Sequence, residues 1–169
     1  MKQIVQGFKA SAVAAGMKKG SGLDLALIFS EREAVASGVF TSNKVKAAPV
    51  ILTQEHISGG KVRAIIANSG NANACTGKDG LRDARLTADL VARELGIKPD
   101  EVLVASTGVI GASMDMDLVA RAIPDLVKAL SPEGIPHVLE AIMTTDSFPK
   151  ISKFEGMADG WPFQILGIA

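Results

Sequence analysis

The order of apolar and polar positions divides the chain into buried strands and amphipathic helices. Residues 102–105 form a short, unbroken apolar run, which predicts a strand buried on both faces, and residues 62–68 predict a second buried strand. Between them, residues 79–95 predict an amphipathic helix that ends at Gly96, with Pro99 preventing its continuation. A strand, a helix and a strand in this order predict a parallel pair of strands. The apolar stripe of the helix is Leu81, Ala84, Ala88, Val91 and Leu95.

The first part of the chain predicts antiparallel strands instead. We expect some strand at Phe8 to Val13 inside a glycine-rich entry loop. Leu23 to Ser30 and Ala34 to Phe40 flank the charged triplet 31–33, a loop length typical of a hairpin. Pro49 to Thr53 predicts a shorter strand, with proline at its first position where no ladder hydrogen bond is lost.

Two more helices are expected in the second half. Residues 115–130 predict a helix in which Pro124 either produces a kink or begins a second short helix. Ser131 is a candidate N-cap for a further helix, with Pro132 at its first position, that runs to about Met143.

The chain is predicted to close with a hairpin. Residues 150–154 and 163–168 are strand-like and are joined through Asp159-Gly160, a frequent turn sequence. No internal repeat or linker interrupts the sequence, so we expect residues 1–169 to form a single domain.

Composition narrows the class of protein. Apolar residues make up 47% of the 169 residues, but aromatics only 4% and tyrosine is absent, which favours a layered α/β core of small side chains. Eighteen basic and eighteen acidic residues balance, so nucleic acid is not an expected partner. No signal-peptide core and no apolar run of about 20 residues is present. We therefore expect a soluble, cytoplasmic protein that has no membrane partner.

The single cysteine excludes an internal disulfide. Cys75 has no histidine nearby in sequence, since His56 and His137 fall in unrelated segments. A nucleophilic thiol needs such a partner, so we interpret Cys75 as a small packed residue.

The strongest candidate for chemistry follows the strand at 102–105. Ser106-Thr107-Gly108 is a turn of small residues, in which glycine removes a Cβ that would block a ligand. The Thr107 hydroxyl and a neighbouring N–H can converge on one oxygen, as an acyl-transfer oxyanion requires. The same residues also describe an ordinary connection between a strand and a helix.

An uncharged, amide-rich loop follows the strand at 62–68. Its residues Asn68, Asn71 and Asn73 are placed either to bind a ligand or to form Asx turns with neighbouring backbone. We interpret them as a scaffold close to the site.

Three stretches together resemble the ornithine acetyltransferase family of cyclic arginine biosynthesis. The resemblance covers essentially the whole chain, and Asp24 to Ile28 and Thr144 to Asp146 agree with it as well. The three stretches are Ala-Ser-Gly-Val-Phe-Thr-Ser-Asn (36–43), Ala-Asn-Ser-Gly-Asn-Ala-Asn-Ala-Cys-Thr-Gly (67–77) and Ser-Thr-Gly-Val-Ile-Gly (106–111).

The resemblance implies a precursor that cuts itself before a threonine. This chain corresponds to the α chain, and the β chain begins with the nucleophilic threonine. The implied fold is a four-layer α/β/β/α sandwich, shared with self-processing aminopeptidases, and the implied assembly has two α and two β chains. The sequence stops at Ala169, before a lysine that the family pattern places next, so the last residues before the cleavage site are expected to be missing.

The resemblance also implies the reaction and the residues that take part. The β-chain threonine takes the acetyl group of N-acetylornithine and passes it to glutamate. Thr107 and Gly108 would form the oxyanion hole, and Thr144 would contact substrate, although a threonine at a helix end is also a common cap. No cofactor or metal is implied. Whether acetyl-coenzyme A serves as a second donor stays open.

Three other functions remain as alternatives. A self-processing aminopeptidase would share the oxyanion turn but use water as acceptor. A nucleotide-binding module would use glycine loops for phosphates, but neither loop has a phosphate-binding motif or a basic residue. The third alternative is a subunit with a purely structural role.

Overall fold

A computed structural model of the chain describes residues 5–169, so part of the N-terminal segment used to exclude a signal peptide, residues 1–4, lies outside the described residues. Four strands form a mixed sheet in the order β1, β2, β3, β4, in which only β3 and β4 are parallel. The predicted strand, helix, strand unit is thereby confirmed. The strands are β1 (Phe8–Val13), β2 (Leu25–Val35), β3 (Lys61–Asn68) and β4 (Val102–Ser106).

Helices and a separate hairpin complete the described fold. Asp159 and Gly160 both adopt positive φ and join the last two strands, so the predicted hairpin is confirmed with longer strands. None of the helices in residues 5–169 is long and apolar enough to cross a membrane. The elements are α1 (Ala48–Ile57), α2 (Gly77–Leu95), α3 (Met116–Lys128), α4 (Ile135–Ile142), β5 (Ile151–Ala158) and β6 (Trp161–Ile168), with a 3₁₀ turn at Pro99–Glu101.

The two faces of the sheet are covered by different elements. Leu25 and Leu27 of β2 point to one face and pack with α1, α2 and α3 in the larger core. Ala26 and Ile28 point to the other face and pack with α4 and the hairpin in a smaller core. Beside that second core, Ile65 of β3 is 40% exposed, so this part of the sheet is not covered by residues 5–169.

Three predictions of secondary structure are corrected by the structure. The first hairpin is wrong, because residues 31–33 lie inside one long strand whose register against β3 shifts between Phe29 and Ala34. The triplet lacks glycine and asparagine, which tight hairpins favour, and its carboxylates pair with neighbouring strands. Glu31 binds Lys9 at 2.7 Å, and Glu33 binds Lys61 at 3.0 Å.

The predicted strand at Pro49 to Thr53 is wrong, since these residues begin α1. Proline is tolerated in the first turn of a helix because the N–H it lacks has no partner there anyway. The apolar run in this stretch is too short for its pattern to distinguish a strand from a helix.

In the second half, the helix predicted over 115–130 is confirmed, and the structure decides between the two alternatives at Pro124. Asp115 caps α3 by accepting the N–H groups of Asp117 and Leu118 at 3.1 and 3.3 Å, and Pro124 lies inside this single helix. Pro124 therefore does not begin a second helix. The helix start predicted at Ser131 is wrong, because Ser131 forms a β-bridge with Ala10 and α4 begins three residues after Pro132.

Candidate functional site

Two loops begin side by side at the C-terminal ends of β3 and β4, because these strands are parallel. Asn68 and Ser106, the last residues of these strands, lie opposite each other. The pairing continues beyond the strands: Thr107 N–H donates to the Asn68 carbonyl at 2.9 Å, and Val109 N–H donates to the Gly70 carbonyl at 3.2 Å. The turn that carries Thr107 and Gly108 is therefore held by backbone hydrogen bonds.

Gly108 is required by the contact between the two loops. Its φ is +132°, and a Cβ built on it would lie 2.3 Å from the carbonyl carbon of Gly70. The sequence predicted that the missing Cβ makes room for a ligand. On this side of Gly108, the space is occupied by the neighbouring loop instead.

The turn presents hydrogen-bonding groups that the described chain does not use. Thr107 and Gly108 are exposed, and neither the Thr107 hydroxyl nor the Gly108 N–H has a hydrogen-bond partner within residues 5–169. The hydroxyl of Ser106 is buried and also has no partner among those residues. Buried hydroxyls are normally satisfied, so Ser106 is an exception among the described residues.

The asparagine side chains bind loop backbone, which confirms their interpretation as a scaffold. Asn68 donates to the Asn71 carbonyl at 2.8 Å, and the Asn71 side-chain oxygen accepts the N–H of Asn73 at 2.7 Å in an Asx turn. Asn73 is 1% exposed and donates to the Gly80 carbonyl at 2.8 Å. The loop is thus fixed by its own amides.

Thr144 lies just beyond the end of α4 and is exposed. The pKa of the Asp146 carboxyl lies below its ordinary value of 3.8. The largest cause is a hydrogen bond from Lys150, followed by a hydrogen bond from the backbone N–H of Thr144 and by the positive charge of Lys150. Asp146 thus contacts both Lys150 and the backbone of Thr144.

A buried carboxylate connects these loops, and it was not predicted from the sequence. Asp24 is 1% exposed, and its side chain accepts N–H groups from each residue of the 15–18 loop. Its backbone carbonyl accepts the N–H of Ser69 at 2.9 Å. The available signal was an aspartate at the start of a buried apolar strand, where an unpaired charge is not tolerated.

The 15–18 loop also contacts the two parts of the candidate site. A Cβ built on Gly70 would lie 2.4 Å from the Met17 carbonyl oxygen, so Gly70 is packed between Met17 and Gly108. The ammonium of Lys18 donates to the carbonyl of Met143, next to Thr144, at 2.6 Å. The 15–18 loop thus contacts both the loop that packs against Gly108 and the residue that precedes Thr144.

Cys75 differs from its prediction as a packed residue. It is exposed and adopts a φ of +58°, and His56 is engaged elsewhere through a 2.7 Å contact between its Nδ1 and the Val102 carbonyl. Within residues 5–169, no group of three or more His, Cys, Asp or Glu side chains is placed to hold a metal ion.

The model of the ArgJ family matches residues 9–169. The chain belongs to the ArgJ family. A curated relative from Geobacter sulfurreducens, an arginine biosynthesis bifunctional protein ArgJ, is 50% identical over 165 residues, which cover 98% of this chain and 42% of that relative. The ArgJ protein of Caldanaerobacter subterraneus is 48% identical over 167 residues, or 99% of this chain and 41% of its own length. The chain therefore spans about two fifths of the curated ArgJ relatives it matches.

Solved ArgJ structures match the fold along nearly the whole chain. The crystal structure of ArgJ from Bacillus halodurans has a TM-score of 0.92 at 39% identity and covers 98% of this chain and 86% of that chain. Ornithine acetyltransferase from Mycobacterium tuberculosis, solved in complex with ornithine, has a TM-score of 0.90 at 40% identity, with coverages of 98% and 88%. These matches confirm the predicted family and the mixed α/β fold.

Proposed function

We propose that this chain is the α chain of an ornithine acetyltransferase, which supplies the oxyanion hole to a site completed by the rest of the protein. The observation that carries this proposal is the exposed turn at Thr107 and Gly108, with two neutral donors unused within residues 5–169. Membership of the ArgJ family and the names of its relatives support the acetyl-transfer reaction.

The proposed chemistry requires a nucleophile from the second chain. The N-terminal threonine of that β chain attacks the acetyl carbonyl of N-acetylornithine, with its own α-amine as the base. The carbonyl oxygen becomes negative and accepts hydrogen bonds from the Thr107 hydroxyl and the Gly108 N–H. Ornithine leaves, and glutamate takes the acetyl group through a second oxyanion. Thr144 contacts the substrate in this proposal.

The uncovered part of the sheet supports a partner chain. Ile65 and the buried Leu103 border an apolar depression on the face away from α1, α2 and α3. In the proposed four-layer α/β/β/α sandwich, a second sheet packs on this face and removes the exposed apolar surface from water. Two such α and β pairs form the proposed α2β2 assembly.

The proposal is tested in the full-length protein by substituting Thr107. We expect wild-type protein to transfer acetyl from N-acetylornithine to glutamate faster than it hydrolyses the donor. Thr107→Ala should lower kcat by about 10²- to 10³-fold, the effect of losing one oxyanion donor. Its thermal unfolding should not change, because the hydroxyl has no partner within residues 5–169.

Thr107→Ser is the matched control, since it keeps the hydroxyl and should retain most of kcat. Full kcat in Thr107→Ala would rule out the oxyanion assignment. Predominant hydrolysis by the wild type would instead favour an aminopeptidase-like enzyme.

A further inference from the structure

The 15–18 loop is wrapped around one carboxylate. Asp24 Oδ1 accepts the N–H of Ala15 at 2.6 Å, and Oδ2 accepts those of Gly16, Met17 and Lys18 at 3.0, 2.6 and 2.9 Å. Hydrogen bonds to a carboxylate are stronger than those between neutral groups. The backbone of this loop is therefore fixed independently of the Lys18 side chain.

Within residues 5–169, the Lys18 ammonium is bound only by carbonyl oxygens. Its Nζ donates to Leu23 at 3.2 Å, Ala141 at 3.1 Å and Met143 at 2.6 Å, which matches the three N–H groups of an ammonium. Two of these carbonyls belong to the C-terminal end of α4, where helix carbonyls lack intrahelical partners. The last turn of α4 has no basic residue of its own, so Lys18 supplies the favourable positive charge there.

Two consecutive residues thus reach the two parts of the proposed site. The Met17 carbonyl lies against Gly70, which in turn lies against Gly108. The Lys18 side chain holds the carbonyl of Met143, the residue before Thr144. The oxyanion donors and Thr144 are therefore connected through a loop that is bound to Asp24, in addition to the hydrogen bond that the Ser69 hydroxyl donates to the Ala141 carbonyl.

We propose that Lys18 is a positioning residue that holds Thr144 in register with the oxyanion donors. This inference rests on the proposed function for its effect on catalysis. Without the ammonium, the end of α4 loses both of its Lys18 hydrogen bonds, whereas the Asp24 contacts still hold Met17 and Gly70. Binding of the acyl donor should then weaken more than the chemical step slows.

Kinetics of the full-length protein provide the first test. In Lys18→Met, which keeps the aliphatic stem but no donor, we expect KM for N-acetylornithine to rise about tenfold or more while kcat changes less than about threefold. Lys18→Arg, which keeps the charge, should fall between this variant and wild type. Lys19→Met is the matched control, because Lys19 is exposed and has no partner within residues 5–169, and it should behave as wild type.

Hydrogen exchange of the same proteins gives a measurement that does not need activity. Lys18→Met should speed amide exchange at residues 143–147 and leave residues 106–109 unchanged. The positioning role is refuted if exchange at 143–147 stays at the wild-type rate, if Lys19→Met has the same effect, or if kcat falls with KM unchanged. Absence of acetyl transfer in the wild type would refute the proposed function alone, since exchange still decides the role of Lys18. If Lys18→Met does not assemble, the same measurements are made on Lys18→Arg. A wild-type KM together with a wild-type exchange rate in Lys18→Arg would then refute the positioning role of Lys18.

Discussion

The Thr53 hydroxyl on α1 binds both backbone groups of Val104 on β4. It donates to the Val104 carbonyl at 2.7 Å and accepts the Val104 N–H at 3.0 Å. Because β4 is an edge strand, these groups have no neighbouring strand on that side. His56 makes the equivalent contact with the carbonyl of Val102 at 2.7 Å. Helix α1 thus protects the edge of the strand that leads into the candidate site.

Replacing Thr53 with valine should show how much this contact contributes to the free energy of unfolding. Thr53→Val keeps the shape of the side chain but leaves the N–H and carbonyl of Val104, which is 6% exposed, without a partner. We expect the free energy of unfolding to fall by about 2 to 6 kcal/mol, at about 1 to 3 kcal/mol for each of the two buried unsatisfied groups. Urea-induced unfolding of the full-length protein measures this change. Thr53→Ser keeps the hydroxyl and should lose much less, and equal stability of the valine and serine variants would contradict the prediction.

Gly108 and Gly111 offer a matched test of the loop contact, because both have positive φ, at +132° and +79°. A Cβ on Gly111 meets nothing within 4 Å, whereas a Cβ on Gly108 would lie 2.3 Å from Gly70 backbone. Gly111→Ala should therefore carry only the strain of a left-handed residue, about 1 to 2 kcal/mol. Gly108→Ala adds overpacking of about 1 to 3 kcal/mol, since backbone must move.

The same displacement should affect catalysis. In the proposed oxyanion hole, a shift of the Gly108 N–H by about 1 Å should lower kcat for acetyl transfer by about 10²-fold. Thermal unfolding and kcat of the two full-length variants measure both effects. Equal kcat in Gly108→Ala and Gly111→Ala would show that the contact with Gly70 does not position the donor.

Elements with their own local pattern could be predicted from the sequence. Ala84, Ala88 and Val91 of the predicted stripe are buried in α2, because their spacing alone places them on one helix face. The last hairpin followed in the same way from Asp159-Gly160, which adopts the positive φ that its turn needs. Both signals depend on residues close together in the chain.

Features that depend on distant contacts could not be predicted in this way. The strand expected at Pro49 to Thr53 is a helix because it packs against β4, about fifty residues later in the chain. The motif singled out the Ser106-Thr107-Gly108 turn as a candidate, but its contacts with Gly70 and, through Gly70, with the 15–18 loop could not be predicted. These contacts are made by backbone groups of three separate loops, and backbone groups carry no sequence signal.

Acid should loosen the segment that carries Thr144. The pKa of Asp146 is lowered by Lys150 and by the Thr144 N–H. Its carboxylate therefore stabilises the folded segment fully at pH values above the ordinary pKa of 3.8. This contribution is lost as pH falls from 3.8 through the lower pKa of the folded state, because the protonated carboxyl no longer attracts the Lys150 ammonium. The ¹³C shift of the Asp146 carboxyl in the full-length protein should therefore titrate with a midpoint below 3.8. In Lys150→Met the midpoint should rise towards 3.8, whereas Lys153→Met should not move it, since Lys153 pairs with Glu155 at 2.7 Å. A wild-type midpoint at or above 3.8 would show that the Lys150 contact does not hold this segment in solution.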